Sequence, residues 1–349
     1  MTQDQPGDEV KRRTRAPQGS SSLAEIAEIA EVSEATVSRV LNRKYGVSAA
    51  TRQAVEDALR KVGYERPMSN ELVVLLTPNL TNPIFARQAE RIENVLSPYG
   101  LKTIICPVYP GTVQERDYVT ALMDSGVAAI VFLSSSNTIR NADHRVVQLI
   151  ASRGIPYVSI NGGFPDAESP VVSTDDWRAA ELAVAHLYDL GHRRIGLLAG
   201  PVGNIPADRR VEGFVEALEA RGVDAEDLVV RNHFNIEGGQ QAAATLLASG
   251  VTAMVASSDE MALGAYRAVE RAGLTVPGHV SIIGYDDSPL LDYTAPPLTT
   301  VRQPVERIAE HVGRLTTSLI AKREVADAEI LVEPEIRLRG STAPVRPST

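Results

Sequence analysis

Between residues 72 and 284 the chain repeats one unit, a short and mostly apolar run followed by a stretch whose apolar residues fall three and four apart. The runs are LVVLL (72–76), KTIIC (102–106), AAIVFL (128–133), PYVSI (156–160), RIGLLA (194–199), LVV (228–230), TAMVA (252–256) and VSIIG (280–284). Strands this apolar along their length are buried on both faces, and that requires parallel sheets covered by helices. The intervening helices are expected at 83–99, 114–124, 144–153, 178–190, 209–221, 238–249 and 261–272, with glycines such as Gly100, Gly154 and Gly250 ending them. Residues 161–173 break the rhythm, and apolar segments return at 298–304 and 329–339. Two lobes are therefore expected, 72–161 with 305–328 and 162–304 with 329–340. Parallel sheets offer a crevice beyond their strand C-termini, so two facing lobes make a cleft lined by the loops after the strands.

Upstream the texture changes. MTQDQPGDEVKRRTRAPQGS (1–20) lacks apolar periodicity and reads as a disordered arm, its KRRTR run available to phosphates. Leu23, Ile26, Ala27 and Ala30 form one helical stripe, with Ser22 as N-cap and Glu25 as its capping-box partner. Ser33 caps a second helix that turns Val37, Val40 and Leu41 inward. A third follows Ser48, with Val55, Leu59 and Val62 inward and Gly63 at its end. Three helices within 21–66 make a small all-α domain, joined to the lobes by a short linker at 67–71, and residues 341–349 read as a disordered tail.

The net charge of −9 is unevenly placed. Residues 1–67 carry net +1 and the remainder net −10, while 36–66 hold seven basic against three acidic residues. A positive face thus coincides with the second and third helices. No apolar run approaches the ~18 residues of a membrane span, and the polar N-terminus lacks an apolar signal core. A cytoplasmic location without membrane contact is expected. Cys106 is the lone cysteine, so no internal disulfide can form, and no Cys/His spacing suggests a metal site. No GxxxxGK(S/T) loop occurs and no GxGxxG follows the first strand, so neither a cofactor nor an enzyme is expected.

VSEATVSRVLN (32–42) carries the chemistry of the small domain. A helix entering the major groove needs small or hydroxyl residues at its start, polar side chains for bases and phosphates, and an apolar back. Val37, Val40 and Leu41 supply the back, and Glu34, Ala35, Ser38, Arg39 and Asn42 fall opposite. A buried amphipathic helix would show the same stripe, but the two neighbouring helices and tight turns favour the DNA reading.

SLAEIAEIAEVSEATVSRVLNRKYGVSAATRQAVEDALRKVGY (22–64) closely resembles the DNA-binding headpiece of the lactose-repressor (LacI/GalR-type) family of bacterial transcription regulators. The resemblance implies that Glu34 and Ala35 choose bases, that Arg39 contacts a base or phosphate, and that Ser33, Thr36, Ser38 and Asn42 meet phosphates and neighbouring bases. Alanine offers only apolar contact, for instance to a thymine methyl, while Glu34 can accept from cytosine N4. Two features depart from the family. Glu31 stands where a turn glycine is usual, and a hinge of about fifteen residues, with a leucine that wedges into the minor groove, is reduced here to 65–70 without the leucine.

TNPIF (81–85), STDDW (173–177), LAGP (198–201), RRVEGF (209–214), SSDEMALGAYRA (257–268), GYDD (284–287) and PPLTTVRQP (296–304) resemble the family's effector domain, itself similar to periplasmic sugar-binding proteins. This implies a polyol effector gripped by Arg210 and Asp286, with Asn161 and Gln303 as further polar contacts and Phe234 as an aromatic platform. Phe85 and Trp177 are candidate walls, and Ser258 stands where many relatives place asparagine. A guanidinium donates to adjacent hydroxyls and a carboxylate accepts from them. Structural alternatives stay open: ion pairing for Arg210 and Asp286, packing for Trp177, and helix capping for Asp259.

The expected function is a non-enzymatic, homodimeric repressor that binds a pseudo-palindromic operator in double-stranded DNA. A sugar-like effector closing the lobes would couple the two sites by typically ~1–3 kcal/mol. A nucleobase effector is the alternative, and a transporter's solute-binding protein fits less well. No leucine heptad follows Arg339, which favours a dimer over a tetramer.

Overall fold

The computed structural model describes residues 23–41, 47–62, 71–108, 114–165 and 167–346. The arm, Ser22, Asn42, Gly63 and the linker up to residue 70 lie outside them. The chain divides into two compact units, residues 1–68 and 69–349.

In the first unit, α1 (Leu23–Ile29), α2 (Glu34–Leu41) and α3 (Ala49–Lys61) enclose a core of Ile26, Ala27, Ala30, Val37, Val40, Val55 and Ala58. Leu23, expected in that stripe, stays exposed in the first turn of α1. Ser33 Oγ accepts from the Thr36 amide at 3.2 Å and Ser48 Oγ from the Thr51 amide at 3.1 Å, so both hydroxyls cap as expected. Between α1 and α2 the Val32 amide reaches Ala27 O at 3.0 Å and the Glu31 amide reaches Glu28 O at 3.2 Å. This Schellman closure puts Glu31 at φ +52°, a left-handed position usually given to glycine.

The second unit begins with β1 (Leu72–Thr77), α4 (Pro83–Leu96), β2 (Lys102–Pro107), α5 (Glu115–Leu122), β3 (Val127–Leu133), α6 (Arg145–Ser152), β4 (Tyr157–Ile160) and β5 (Val171–Thr174). It continues with α7 (Asp176–Asp189), β6 (Ile195–Ala199), α8 (Ile205–Glu219), β7 (Val229–Arg231), α9 (Ile236–Ala248), β8 (Ala253–Ala256), α10 (Asp259–Arg271) and β9 (Ser281–Asp286). β10 (Thr299–Arg302), α11 (Val305–Ile320), β11 (Glu329–Val332) and β12 (Glu335–Arg337) complete it.

The strands form two six-stranded sheets, ordered β11-β5-β4-β3-β1-β2 and β12-β10-β9-β8-β6-β7. All pairings are parallel except β10 with β12. Both faces of each sheet are covered: β1 and β3 point Val73, Leu75 and Val131 into a core shared with α4 and α11, and Val74, Leu76 and Ile130 into another against α5 and α6. The second sheet shares one continuous core with α7 to α10.

Two boundaries differ from expectation. β5 and β11 pair with each other and with the first sheet, so 171–174 and 329–332 belong to the first lobe. Both are four-residue strands, and which sheet completes a short strand is decided by distant partners. The chain crosses between lobes after β5, after β10 and after β11. Residues 341–345 are also held where a disordered tail is expected over 341–349, of which 347–349 lie outside the described residues. Ser341 is fully buried and bonds Thr299 N and Ile282 O, Ala343 O lies 3.0 Å from His192 Nε2, and the Val345 amide donates to Leu190 O. α11, which the strand–helix rhythm does not include, packs against α4.

Candidate functional site

The sequence places its DNA-reading residues on α2, and the helix presents them outward. Ser33, Glu34, Ala35 and Arg39 are exposed and Thr36 and Ser38 half-buried, while Val37 and Val40 on the opposite side are in the core. The Ser33 and Thr36 hydroxyls bond each other at 2.9 Å at the helix start.

In the second unit a cavity of about 660 Å3 opens between the lobes, lined by the loops that follow the strands. Phe85, Asn161, Arg210, Phe234, Ser258, Asp286 and Gln303 all line it. Asn161, after β4 and at φ +65°, donates to Ser134 Oγ at 2.9 Å and accepts from the Thr174 amide at 3.1 Å. The Thr174 hydroxyl donates to Gln303 Oε1 at 3.1 Å, and Gln303 Nε2 donates to Asp286 Oδ1 at 2.7 Å. Asn82 Nδ2, from the first lobe, donates to Asp286 Oδ2 at 3.4 Å. Asn161, Gln303 and Asp286 thus form one network that reaches both lobes through Asn82.

Arg210 sits in α8, which starts at Ile205, earlier than its apolar pattern indicates. The Asn204 side chain caps the Ala207 amide, and Pro206 lies in the first turn. Arg210 Nη1 bonds Asp176 Oδ1, which also accepts from Tyr285 OH at 2.7 Å, and the guanidinium lies 4.3 Å from the Tyr285 ring centroid. Burial pushes the Asp176 carboxyl up, with Arg210 working against it; burial also opposes the Arg210 charge, but Asp176, Tyr285 and Asp286 outweigh it. Arg210 Nε and Ser257 Oγ are buried without a hydrogen-bond partner, and both residues line the cavity. Asp176 carries no motif of its own beyond STDDW, and only the approach of α7 to α8 reveals its role. That approach depends on Gly213, whose added Cβ would lie 2.5 Å from Trp177 O.

Trp177 is the one expected wall that does not line the cavity. Its indole N–H turns outward to Glu216 Oε2 at 3.1 Å, because the first turn of α7 is pressed onto α8 at Gly213. Phe234 packs flat on Gly200, where a Cβ would lie 2.1 Å from its ring. Capping of α10 falls to Ser258, which accepts from the Met261 amide at 3.2 Å. Asp259 instead accepts from Thr300 Oγ1 and the Ser288 amide, both at 2.8 Å. Burial, reinforced by the Asp286 charge, pushes Asp259 well up, and burial raises Asp286 to about 7.

Glu115, at the start of α5, also lines the cavity and is 5% exposed, although the sequence reading does not single it out. It accepts from Ser136 N at 2.7 Å and from Ser136 Oγ, and burial pushes its carboxyl up. Among the described residues no cluster of three or more His, Cys, Asp or Glu is placed to hold a metal ion, and no helix is long and apolar enough to cross a membrane.

Residues 22–67 match the model of bacterial regulatory proteins of the lacI family, and 184–342 match a periplasmic binding protein-like domain. A transcriptional regulator from the aml 5′ region of Streptomyces limosus is 46% identical over 92% of this chain and 94% of its own length. The regulator MalR of Streptomyces coelicolor is 43% identical, covering 93% and 97%. The regulator CelR in complex with cellobiose superposes with a TM-score of 0.71 at 30% identity, covering 92% of this chain and 99% of that one. The lac repressor dimer bound to operator gives 0.69 at 26%, covering 93% and 100%. Paired with an outward-facing recognition helix and a two-lobed cleft, these likenesses leave one assignment: the chain belongs to the LacI family of bacterial transcription regulators.

Proposed function

We propose that this regulator is a homodimeric repressor whose operator affinity is set by a neutral sugar held between the lobes. The observation that carries it is the cavity, where carboxylate, amide and guanidinium groups converge beside two phenylalanines and two buried polar atoms lack partners. Such atoms cost about 1–3 kcal/mol each when left unsatisfied, and both belong to residues that line the cavity. The chemistry suits a polyol: acceptors and donors alternate, and the Phe85 and Phe234 rings suit C–H surfaces. CelR with cellobiose and an Enterococcus faecium relative with ribose use the same architecture for sugars.

On and beside α2, Arg39 supplies the attraction to base or phosphate, Glu34 and Ala35 choose bases, and Ser33, Thr36 and Ser38 meet phosphates and neighbouring bases; Asn42, expected in the same role, lies outside the described residues. Two copies bring two such helices to half-sites about one helical turn apart.

The test selects bound duplexes from a random pool and titrates the enriched site with mono- and disaccharides and purines. Enrichment of a palindrome whose affinity shifts with a saccharide is the expected result. No enriched duplex would discard the operator reading, and a shift produced by purines alone would replace the sugar.

A further inference from the structure

Resting on that sugar reading, we infer that the cleft takes a neutral oligosaccharide of at least two rings, and that Glu115 is the acceptor for the ring beyond the Asp286 network. The first observation is extent. Asn161, Ser134, Asn79 and Gln114 follow β4, β3, β1 and β2, which are neighbours in the first sheet. Strands spaced by ~4.8 Å spread these loops over roughly 14 Å, well beyond one pyranose ring. The second is volume. At the loose ~30 Å3 per molecule of liquid water, a hexose of about a dozen non-hydrogen atoms fills only about half of the 660 Å3 present.

The third observation is where acceptors lie. Asn161, Gln303 and Asp286 are bonded together through Thr174 on the β4 and β10 side of the sheets. Glu115 enters from the opposite side, after β2, and belongs to a separate group. Its two oxygens each receive one bond from Ser136, and each can take another. The same turn is pinned by His144, whose Nε2 lies 3.2 Å from Ser136 O and 3.1 Å from Ile139 O. The carboxylate, which the Ser135 side chain also approaches, is therefore fixed and nearly buried with acceptor capacity left over for ligand hydroxyls. Asp143, bonded to Arg145, and Arg116 also line the cavity.

Calorimetric titration of the full chain with glucose, its α-1,4- and β-1,4-linked dimers and trimers, and ribose tests this, alongside Glu115→Gln and Glu115→Ala. One of the dimers is expected to bind at least tenfold tighter than glucose, and Glu115→Ala to remove most of that advantage by weakening the dimer far more than glucose. Glucose or ribose binding as tightly as every dimer overturns the two-ring inference and leaves the sugar reading standing. Equal weakening of glucose and dimer by both variants removes Glu115 from the second ring. Silence of all the saccharides overturns the sugar reading and this inference with it. The chain-length series on the unaltered protein keeps the inference falsifiable if a variant fails to fold.

Discussion

On α2 the described candidate DNA-reading residues lie within 33–39 and are exposed or half-buried, whereas the candidate cleft joins residues as far apart as Asn82 and Asp286, most of them buried and bonded to one another. Solvent-facing groups can change without disturbing a core. In the cleft the groups proposed to meet the ligand also bond one another, Asn82 reaching Asp286 across the lobes, so binding and stability are expected to be coupled there and separable at α2.

The sharpest way to break this contrast is Arg210→Ala. It leaves Asp176, 1% exposed, buried without its cation, and removing one partner of a buried pair costs about 3–5 kcal/mol. Denaturant unfolding should show a loss of about 4 kcal/mol, with effector binding abolished. Asp176→Asn combined with Arg210→Met should recover most of the stability and none of the binding. Loss of binding with unchanged unfolding would mean that the pair serves the ligand alone.

The same contrast explains what was legible in the sequence. Ser33, Glu34 and Arg39 can be placed because helical periodicity assigns inside and outside within one turn. Asn161, Arg210, Asp286 and Gln303 are placed in the cleft by resemblance to the family's effector domain, and Asn161 and Gln303 directly follow β4 and β10. Their partners could not: Asp176 meets Arg210 only through α7–α8 packing at Gly213, and Glu115 meets Ser136 across intervening strands. Trp177 shows the converse, a residue beside a cleft motif that tertiary packing turns outward. β5 and β11 were read into the wrong lobe for the same reason, since four-residue strands carry no local mark of the sheet that completes them.

Asp286 gives the next largest effect. Its carboxyl, raised to about 7 by burial, lies above the ~3.9 of an unfolded aspartate, so the folded chain holds the proton more tightly. That stabilising contribution is complete below about pH 4 and is lost as the pH rises through about 7. Asp286→Asn should therefore flatten the pH dependence of unfolding between about pH 4 and 8 and make the ligand-free chain about 2–3 kcal/mol more stable than wild type at pH 8, while weakening effector binding. Superimposable pH profiles for the two proteins would remove Asp286 as the titrating group.

Arg39→Ala examines the opposite pole. Arg39 is exposed, so its loss should cost about 1–3 kcal/mol of operator binding and leave the melting temperature where it was. A drop in stability of similar size would show that α2 also couples binding to folding.

The smallest expected change lies at Glu31, where the headpiece departs from its relatives. A non-glycine residue held in the left-handed region costs roughly 1 kcal/mol or somewhat more, and glycine gives back part of that through its freer unfolded chain. Glu31→Gly should thus stabilise the headpiece by a net ~0.5–1 kcal/mol, read as slower amide exchange at Val37 and Val55, which sit in its core. The cleft should not respond. Its nearest structural requirement, the Schellman bonds from Glu31 and Val32 back into α1, is local to the headpiece, so effector affinity measured without DNA should be the same in both proteins. Faster exchange in the glycine variant would mean that the Glu31 side chain contributes more than its backbone strain removes.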